Sequence, residues 1–363
     1  MFLAWNEIKY SKTRFALIIG VIILVSYLVY FLTGLAYGLA QDNRTAVDKW
    51  DATGIVLTDE SNGNINMSMV GNNLSESIEA DDIAMLGTAP NVVRLKESNS
   101  EDDKISVNFF GVHPDEFLVP EVTEGNEVTE DYQVVADFSM NEEFGIEIGD
   151  ELNLAGTDLT VEVVGFTENA KFSVAPVLYT TIPTYQEIRF EEQDQSPEGR
   201  ISAFVVRDDE DKLGNITLDD DALRLYSIDE YIQELPGYMA QVLTFGLMIG
   251  FLIVIAAVVI GIFMYVLTVQ KTSLFGVMKA QGISTGYIAK SVLAQTLILA
   301  AVGVGIGLAL TVLTAAFLPS TVPYEGNIYF MIIISVLMIL FALLGAFFSV
   351  RTVAKIDPLE AIG

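Results

Sequence analysis

The chain has 363 residues, 52% of them hydrophobic, with one histidine, no cysteine and a formal net charge of −29. The lack of thiols excludes disulfides, thiolate zinc sites, cysteine nucleophiles and c-type haem attachment together, and the single His113 excludes a histidine-rich metal site. The charge is segregated. Residues 41–238 hold 44 acidic and 11 basic residues, a balance of −33, inside an otherwise mildly basic apolar chain. Such a domain binds neither nucleic acid nor anionic lipid by charge.

Residues 1–13 place Phe2, Trp5 and Ile8–Tyr10 near one helical face beside Lys9 and Lys12, the pattern of an amphipathic helix lying in the cytoplasmic membrane interface. Residues 14–40 then run apolar from Arg14 to Ala40, with no charge after Arg14. About 26 such residues make a helix of roughly 39 Å, more than the ~30 Å hydrocarbon core requires. The run is about twice as long as the apolar region of a signal peptide, so it reads as a permanent span. Basic residues precede it and acidic residues follow, which puts the N-terminus in the cytoplasm and the next domain outside.

Residues 41–238 contain no 18-residue apolar run. Short β-rich pieces occur at Gly54–Thr58, Asn64–Val70, Asn91–Lys96, Ile105–Val112, Tyr132–Phe138, Leu159–Phe166, Val177–Ile182 and Ile201–Val206. Helical pieces lie around Asn141–Phe144 and Pro183–Arg189. The expectation is an α+β extracytoplasmic domain of mostly antiparallel strands, large enough for a proper core in one or two lobes. Ser227-Ile-Asp-Glu230 is a capping box. The helix it opens places Ile228, Tyr231, Ile232 and Leu235 on one face, expected immediately above the membrane, until Pro236-Gly237 ends it.

Three further spans follow, at 239–269, 292–318 and 328–350, separated by a cytoplasmic segment 270–291 and a short extracellular loop 319–327, with a cytoplasmic tail at 351–363. Lys271, Lys279, Lys290, Arg351 and Lys355 all fall on the cytoplasmic side, and the 319–327 loop has no Lys or Arg. The fold class is therefore a membrane protein with four transmembrane α-helices and the α+β domain inserted between helices 1 and 2. Gly34-x-x-x-Gly38, Gly246-x-x-x-Gly250 and Gly303-x-x-x-Gly307 allow close helix approach. The first two lie at one membrane depth and are expected to pair spans one and two, within one chain or across a dimer.

No G-x-x-x-x-G-K-[ST], G-x-S-x-G or H-E-x-x-H occurs, so the chain has no P-loop and no sign of being an enzyme. The Asp-Asp and Glu-Glu pairs read as solvated surface, and His113-Pro114 as a turn. In Lys271–Lys290, Thr272 or Ser273 is placed to cap a short helix and Gly282 to end it, with Leu274, Val277 and Met278 on one face. That helix is either a tight connection or a knob for a groove on a cytoplasmic partner. Asp357-Pro358 opens a last helical turn.

Three stretches carry a family resemblance: FGVMKAQGIS (Phe275–Ser284), FGIEIGDELNLAGTDLTVEVVGF (Phe144–Phe166) and KIDPLEAI (Lys355–Ile362). With the four-span layout they resemble the FtsX/MacB-type ABC transporter permeases. The resemblance implies coupling to a separate ATPase through Leu274, Phe275, Val277, Met278, Lys279 and Asp357. The N-terminal 40 residues and SIDEYIQELPGY are further similar to the haem-exporting permeases of the HrtB type. That similarity implies a homodimer with two copies of a cytoplasmic ABC ATPase subunit, ATP bound on the partner, haem as the transported substrate, membrane lipid around it and no permanently bound cofactor. The other readings are a mechanical signalling protein that controls a cell-wall hydrolase or senses an antimicrobial peptide, and an exporter of lipid, lipopeptide or drug.

A haem site would have to use Tyr, Met or carboxylate ligands. Ser26, Tyr30, Thr33 and Tyr37 form a polar stripe on the first span, flanked by Tyr27 and Gly34. Phe245 and Met248 are expected at similar depth on the second span, with Tyr231 just above. Tyr27, Tyr30, Gly34, Tyr231, Phe245 and Met248 would thus line an aromatic groove open to the outer leaflet. Met140, Glu142 and Glu143, on an expected surface turn, are lesser haem-ligand candidates.

Overall fold

The computed structural model describes residues 12–96 and 103–354. The interfacial helix expected at 1–13, but for its last two residues, and the Asp357 tail lie outside the described residues. The chain divides into two units, Met1–Gly38 with Val242–Gly363, and Leu39–Gln241. Helix α1 (Lys12–Asp42) runs from the first unit into the second.

The second unit continues with α2 (Thr45–Asp48), β1 (Gly54–Thr58), β2 (Val70–Gly71), β3 (Ile78–Glu79), β4 (Asp82–Leu95), β5 (Ile105–Val112), β6 (Glu124–Gly125) and β7 (Gln133–Asp137). Then come α3 (Ser139–Phe144), β8 (Glu151–Leu154), β9 (Thr160–Thr167), β10 (Lys171–Phe172), β11 (Ala175–Thr181) and α4 (Ile182–Phe190). The unit ends with β12 (Arg200–Ile201), β13 (Ala203–Arg207), β14 (Thr217–Leu218), β15 (Leu223–Ser227) and α5 (Ile228–Glu234).

Six strands pair in a closed ring, β4–β5–β11–β7–β9–β8 and back to β4, with β5/β11 and β7/β9 parallel and the rest antiparallel. Closure leaves no free sheet edge within the ring. All six strands send buried residues to one core, among them Val93, Phe109, Leu178, Val134, Val163 and Leu152. Residues of opposite parity, Phe110, Val112, Val135 and Tyr179, face a second core with Trp50 and α5. The first half of β4 leaves the ring to pair with β13, which carries β1 and β15.

Two local expectations change. Asn64–Val70 is mostly turn, with only Val70–Gly71 paired. β4 starts at Asp82 rather than near Asn91, with Pro90 accommodated inside it opposite Asn108. Ser227 does cap α5, its Oγ accepting from Glu230 N at 3.2 Å. The apolar face of α5 is buried in the domain core rather than turned toward a membrane: Tyr231, Ile232 and Leu235 all join Trp50.

The first unit adds α6 (Tyr238–Gln270), α7 (Thr272–Ala280), α8 (Thr285–Ala315) and α9 (Ile328–Ala354) to α1. Helices α1, α6, α8 and α9 are each long and apolar enough to cross a membrane. Glycines set two crossings. A Cβ on Gly303 or Gly307 of α8 would overlap Ile22 or Ser26 of α1, and Ser26 Oγ donates to Gly303 O at 3.3 Å. Gly345 of α9 lies against Ala257 and Gly261 of α6. Small residues let these backbones approach to van der Waals distance, the main source of cohesion between helices in lipid.

Candidate substrate groove and coupling helix

The polar stripe of α1 is satisfied inside the bundle. Tyr30 is fully buried, and its hydroxyl lies 2.5 Å from Ser335 Oγ on α9. The Tyr27 hydroxyl lies 3.3 Å from Thr314 Oγ1 on α8. Thr33 Oγ1 donates to its own helix at Val29 O, 2.7 Å. Tyr37 packs on Phe330 with ring centroids 5.5 Å apart.

The notch at Gly34 and Gly38 receives the 319–327 loop, not the second long helix. A Cβ on Gly34 would enter the Tyr324 ring, and one on Gly38 would strike the Pro323 carbonyl. Glu325 N donates to Gly34 O at 3.1 Å. Tyr27, Phe31 and Tyr324 form an aromatic ladder, with centroids 5.9 and 5.6 Å apart. The Tyr324 hydroxyl is buried without a hydrogen-bond partner among the described residues. Gly246 and Gly250 of α6 have open space around them, so the expected pairing of spans one and two at these glycines does not occur within the chain.

The other half of the expected groove is turned outward. Phe245 is half-buried and Met248 is 46% exposed on α6, beside exposed Leu247 and Phe251. Among the described residues, no ring contact or hydrogen bond joins Phe245 or Met248 to Tyr27 or Tyr30. Tyr231 belongs to the domain core, fully buried and stacked on Trp50 at 6.2 Å. Burial pushes its phenol far above the ordinary value, which keeps it neutral and unsuited to binding iron as a phenolate.

The lesser candidates do not converge either. Met140 is fully buried in the ring core, because α3 turns it inward. Glu142 is exposed, and Glu143 pairs with Lys171 at 3.3 Å. That lysine had no role in the sequence reading. Its Nζ also reaches Asp42 at 3.4 Å, bridging the last residue of α1 to α3. Burial alone would lower Lys171, but the Asp42 and Glu143 charges outweigh it and hold the ammonium above its ordinary value. The β10–β11 turn completes this clasp: Ser173 N donates to Asn43 O at 3.1 Å and Val174 N to Asp42 O at 3.0 Å. These donors satisfy backbone carbonyls that the helix end would leave unpaired. Both turn residues sit at positive φ, 50° and 67°.

Helix α7 follows α6 directly, with Lys271 at its N-cap and no side-chain cap bond, so neither Thr272 nor Ser273 caps it. Gly282, at φ +84°, lies just past its end. Leu274 and Val277 are 50% and 41% exposed, whereas Phe275 is 3% exposed and Met278 packs against the bundle core. The expected single face of Leu274, Val277 and Met278 is therefore split, with Leu274 and Val277 outward and Met278 packed inward beside Phe275. Lys279 is half-buried beside them, and Asp357 lies outside the described residues.

Residues 246–358 match the family of FtsX-like permease C-terminal domains. The chain is 27% identical over 367 residues, 100% of its length and 99% of the relative's, to the "Putative hemin transport system permease protein HrtB" of Staphylococcus epidermidis. It is 25% identical over 369 residues, with the same coverage, to the protein of that name in Staphylococcus haemolyticus. The periplasmic region of MacB from Actinobacillus actinomycetemcomitans is a structural neighbour at 10% identity and TM-score 0.35, covering 48% of this chain and 88% of that one.

Proposed function

We propose that this chain, an ABC-transporter permease of the FtsX type, exports haem across a membrane, driven by a separate ATPase subunit. The observation that carries the reading is the end-to-end similarity to permeases named for hemin transport, which spans the helices and the inserted domain alike. The charge pattern orients the pump: Lys271, Lys279 and Lys290 lie on the ATPase side and the −33 domain lies outside.

In this reading Leu274 and Val277 dock on the ATPase, while Phe275 and Met278 carry its movement into the bundle. Haem, a flat amphiphile, lies against the Tyr27–Phe31–Tyr324 ladder, with the outward face bearing Phe245 and Met248 as a second, separate contact surface. Tyr27 and Met248 are the accessible ligand types for its iron. Tyr30 and Gly34 act behind them, one holding α9 and the other seating Tyr324. The 319–327 loop is the element that has to shift for haem to pass.

Purification of the permease with its ATPase from haem-fed cells tests this reading. The expected result is a Soret band that is shifted or lost in Tyr27→Phe/Met248→Leu, together with haem resistance conferred by the wild type. No Soret band and no gain in resistance at equal expression would sink it. ATP-driven change of the domain without any haem effect would instead support a mechanical signalling protein.

A further inference from the structure

The inserted domain has two adjacent cavities at the C-terminal ends of the parallel strands β5 and β11. One, of about 310 Å³, lies over the sheet face of Val112, Val135 and Tyr179 and is covered by the chain from Pro114 to Thr129. The other, of about 430 Å³, is floored by Met85 and Ile182. They share Val112, Pro114 and Thr181. Volumes of this order suit a small organic ligand.

Of Asp, Glu, Lys and Arg, only the acidic residues line them. Glu127 lines the first cavity, Asp131 and Asp194 line the second, and no Lys or Arg lines either. Two polar side chains wait without partners. Tyr179, 2% exposed, lines the first cavity, and its hydroxyl takes no hydrogen bond among the described residues. Asn72 lines the second, and its buried Oδ1 has no hydrogen-bond partner among the described residues. Burial, with the Asp137 charge adding to it, pushes the Tyr179 phenol far above its ordinary value, so it remains a neutral donor and acceptor.

The geometry argues against a metal ion or haem. Among the described residues no three His, Asp or Glu side chains converge on a point that could hold a metal. His113 Nδ1 accepts from Asp115 N at 3.3 Å. Haem propionates would face the lining carboxylates of Glu127, Asp131 and Asp194.

We propose that these cavities form a binding site for an organic cation with an apolar body, its ammonium drawn to the acidic lining that Glu127 gives the first cavity and Asp131 and Asp194 give the second, and its apolar part between the Val-rich sheet face and the covering loop. The domain's large negative charge would steer such cations toward it.

The test uses the full chain in lipid nanodiscs, titrated with 2-phenylethylammonium or its anionic counterpart 3-phenylpropionate. Saturation-transfer NMR provides the readout, with empty nanodiscs subtracted. The amine should bind saturably and the acid should not. Glu127→Gln/Asp131→Asn/Asp194→Asn should raise the amine Kd at least tenfold, whereas the equal charge loss at Glu60→Gln/Glu76→Gln/Asp221→Asn, three exposed positions outside the cavities, should leave it within twofold. Thr129→Trp, an exposed substitution that fills the first cavity without changing charge, should weaken binding to a similar extent. No saturable amine binding, equal binding of the acid, or equal weakening by the distant triple would overturn the proposal. Haem export plays no part in the readout, so this site and the haem reading fail separately.

Discussion

Tyr27 and Tyr30 stand one turn apart on α1 and meet different neighbours. Tyr30 is enclosed and bonded to Ser335, which also donates to Met331 O at 2.7 Å and so keeps a partner if the phenol is lost. Tyr30→Phe should therefore cost about 1 kcal/mol, the usual worth of one hydrogen bond between helices in lipid, and leave haem retention unchanged. Thermal unfolding of the purified complex and its Soret band read the two effects. Loss of the band in Tyr30→Phe would place haem inside the bundle rather than against its face. Helical period alone picked out the Ser26–Tyr30–Thr33 stripe. It did not reveal who takes the hydroxyls, because Thr314 and Ser335 lie 287 and 305 residues away. Met140 was misread for a related reason. Two glutamates follow it, which reads as surface, yet the single turn of α3 points the thioether into the ring core.

At the scale of elements, the clasp between the end of α1 and the β10–β11 turn is the least expected feature. Val174 is β-branched, exposed and at φ +67°, a conformation that costs such residues ~1–3 kcal/mol. Val174→Gly should relieve that cost at little loss of burial and raise stability by about 1 kcal/mol, read as a higher melting temperature; a lower one would show that the side chain contributes packing that outweighs the strain. Lys171 gives a pH signature. Its native pKa is raised, so its contribution is fully present below the ordinary lysine value near 10.5 and disappears as pH climbs through the higher native value. The wild type should lose more stability than Lys171→Met as pH rises above about 10.5, and parallel curves would show the clasp ammonium to be unimportant. Alternation made strands such as β9 legible, with Val161 and Val163 inward and Glu162 outward. The closed ring was not legible, because strand partners are not encoded by period. The first half of β4 was missed because Gly87 and Pro90 interrupt it, although both are tolerated in the register with β5.

For the whole molecule, the export reading places force at α7 and work in the inserted domain, with α1 continuous from the bundle to Asp42. Substitutions at the two ends should then fail differently. Leu274→Asp/Val277→Asp puts charge on the exposed apolar pair while Phe275 and Met278 stay packed. The expected outcome is loss of the ATPase subunit on co-purification with the Soret band retained. Lys171→Met, made in the Val174→Gly background to offset its destabilisation, leaves α7 untouched but loosens the link between α1 and the β10–β11 turn. That complex should keep its ATPase subunit and hydrolyse ATP, yet export haem more slowly, by severalfold in a cellular haem-reporter assay at matched expression. Wild-type export from the Lys171 variant would mean that the domain moves without the clasp. Loss of ATPase co-purification in that variant would mean instead that the clasp acts on the fold of the whole permease rather than on transmission. Transmission through α1 would predict neither result, because only a break at α7 should separate the subunits and only a break at Asp42–Lys171 should leave hydrolysis running without export.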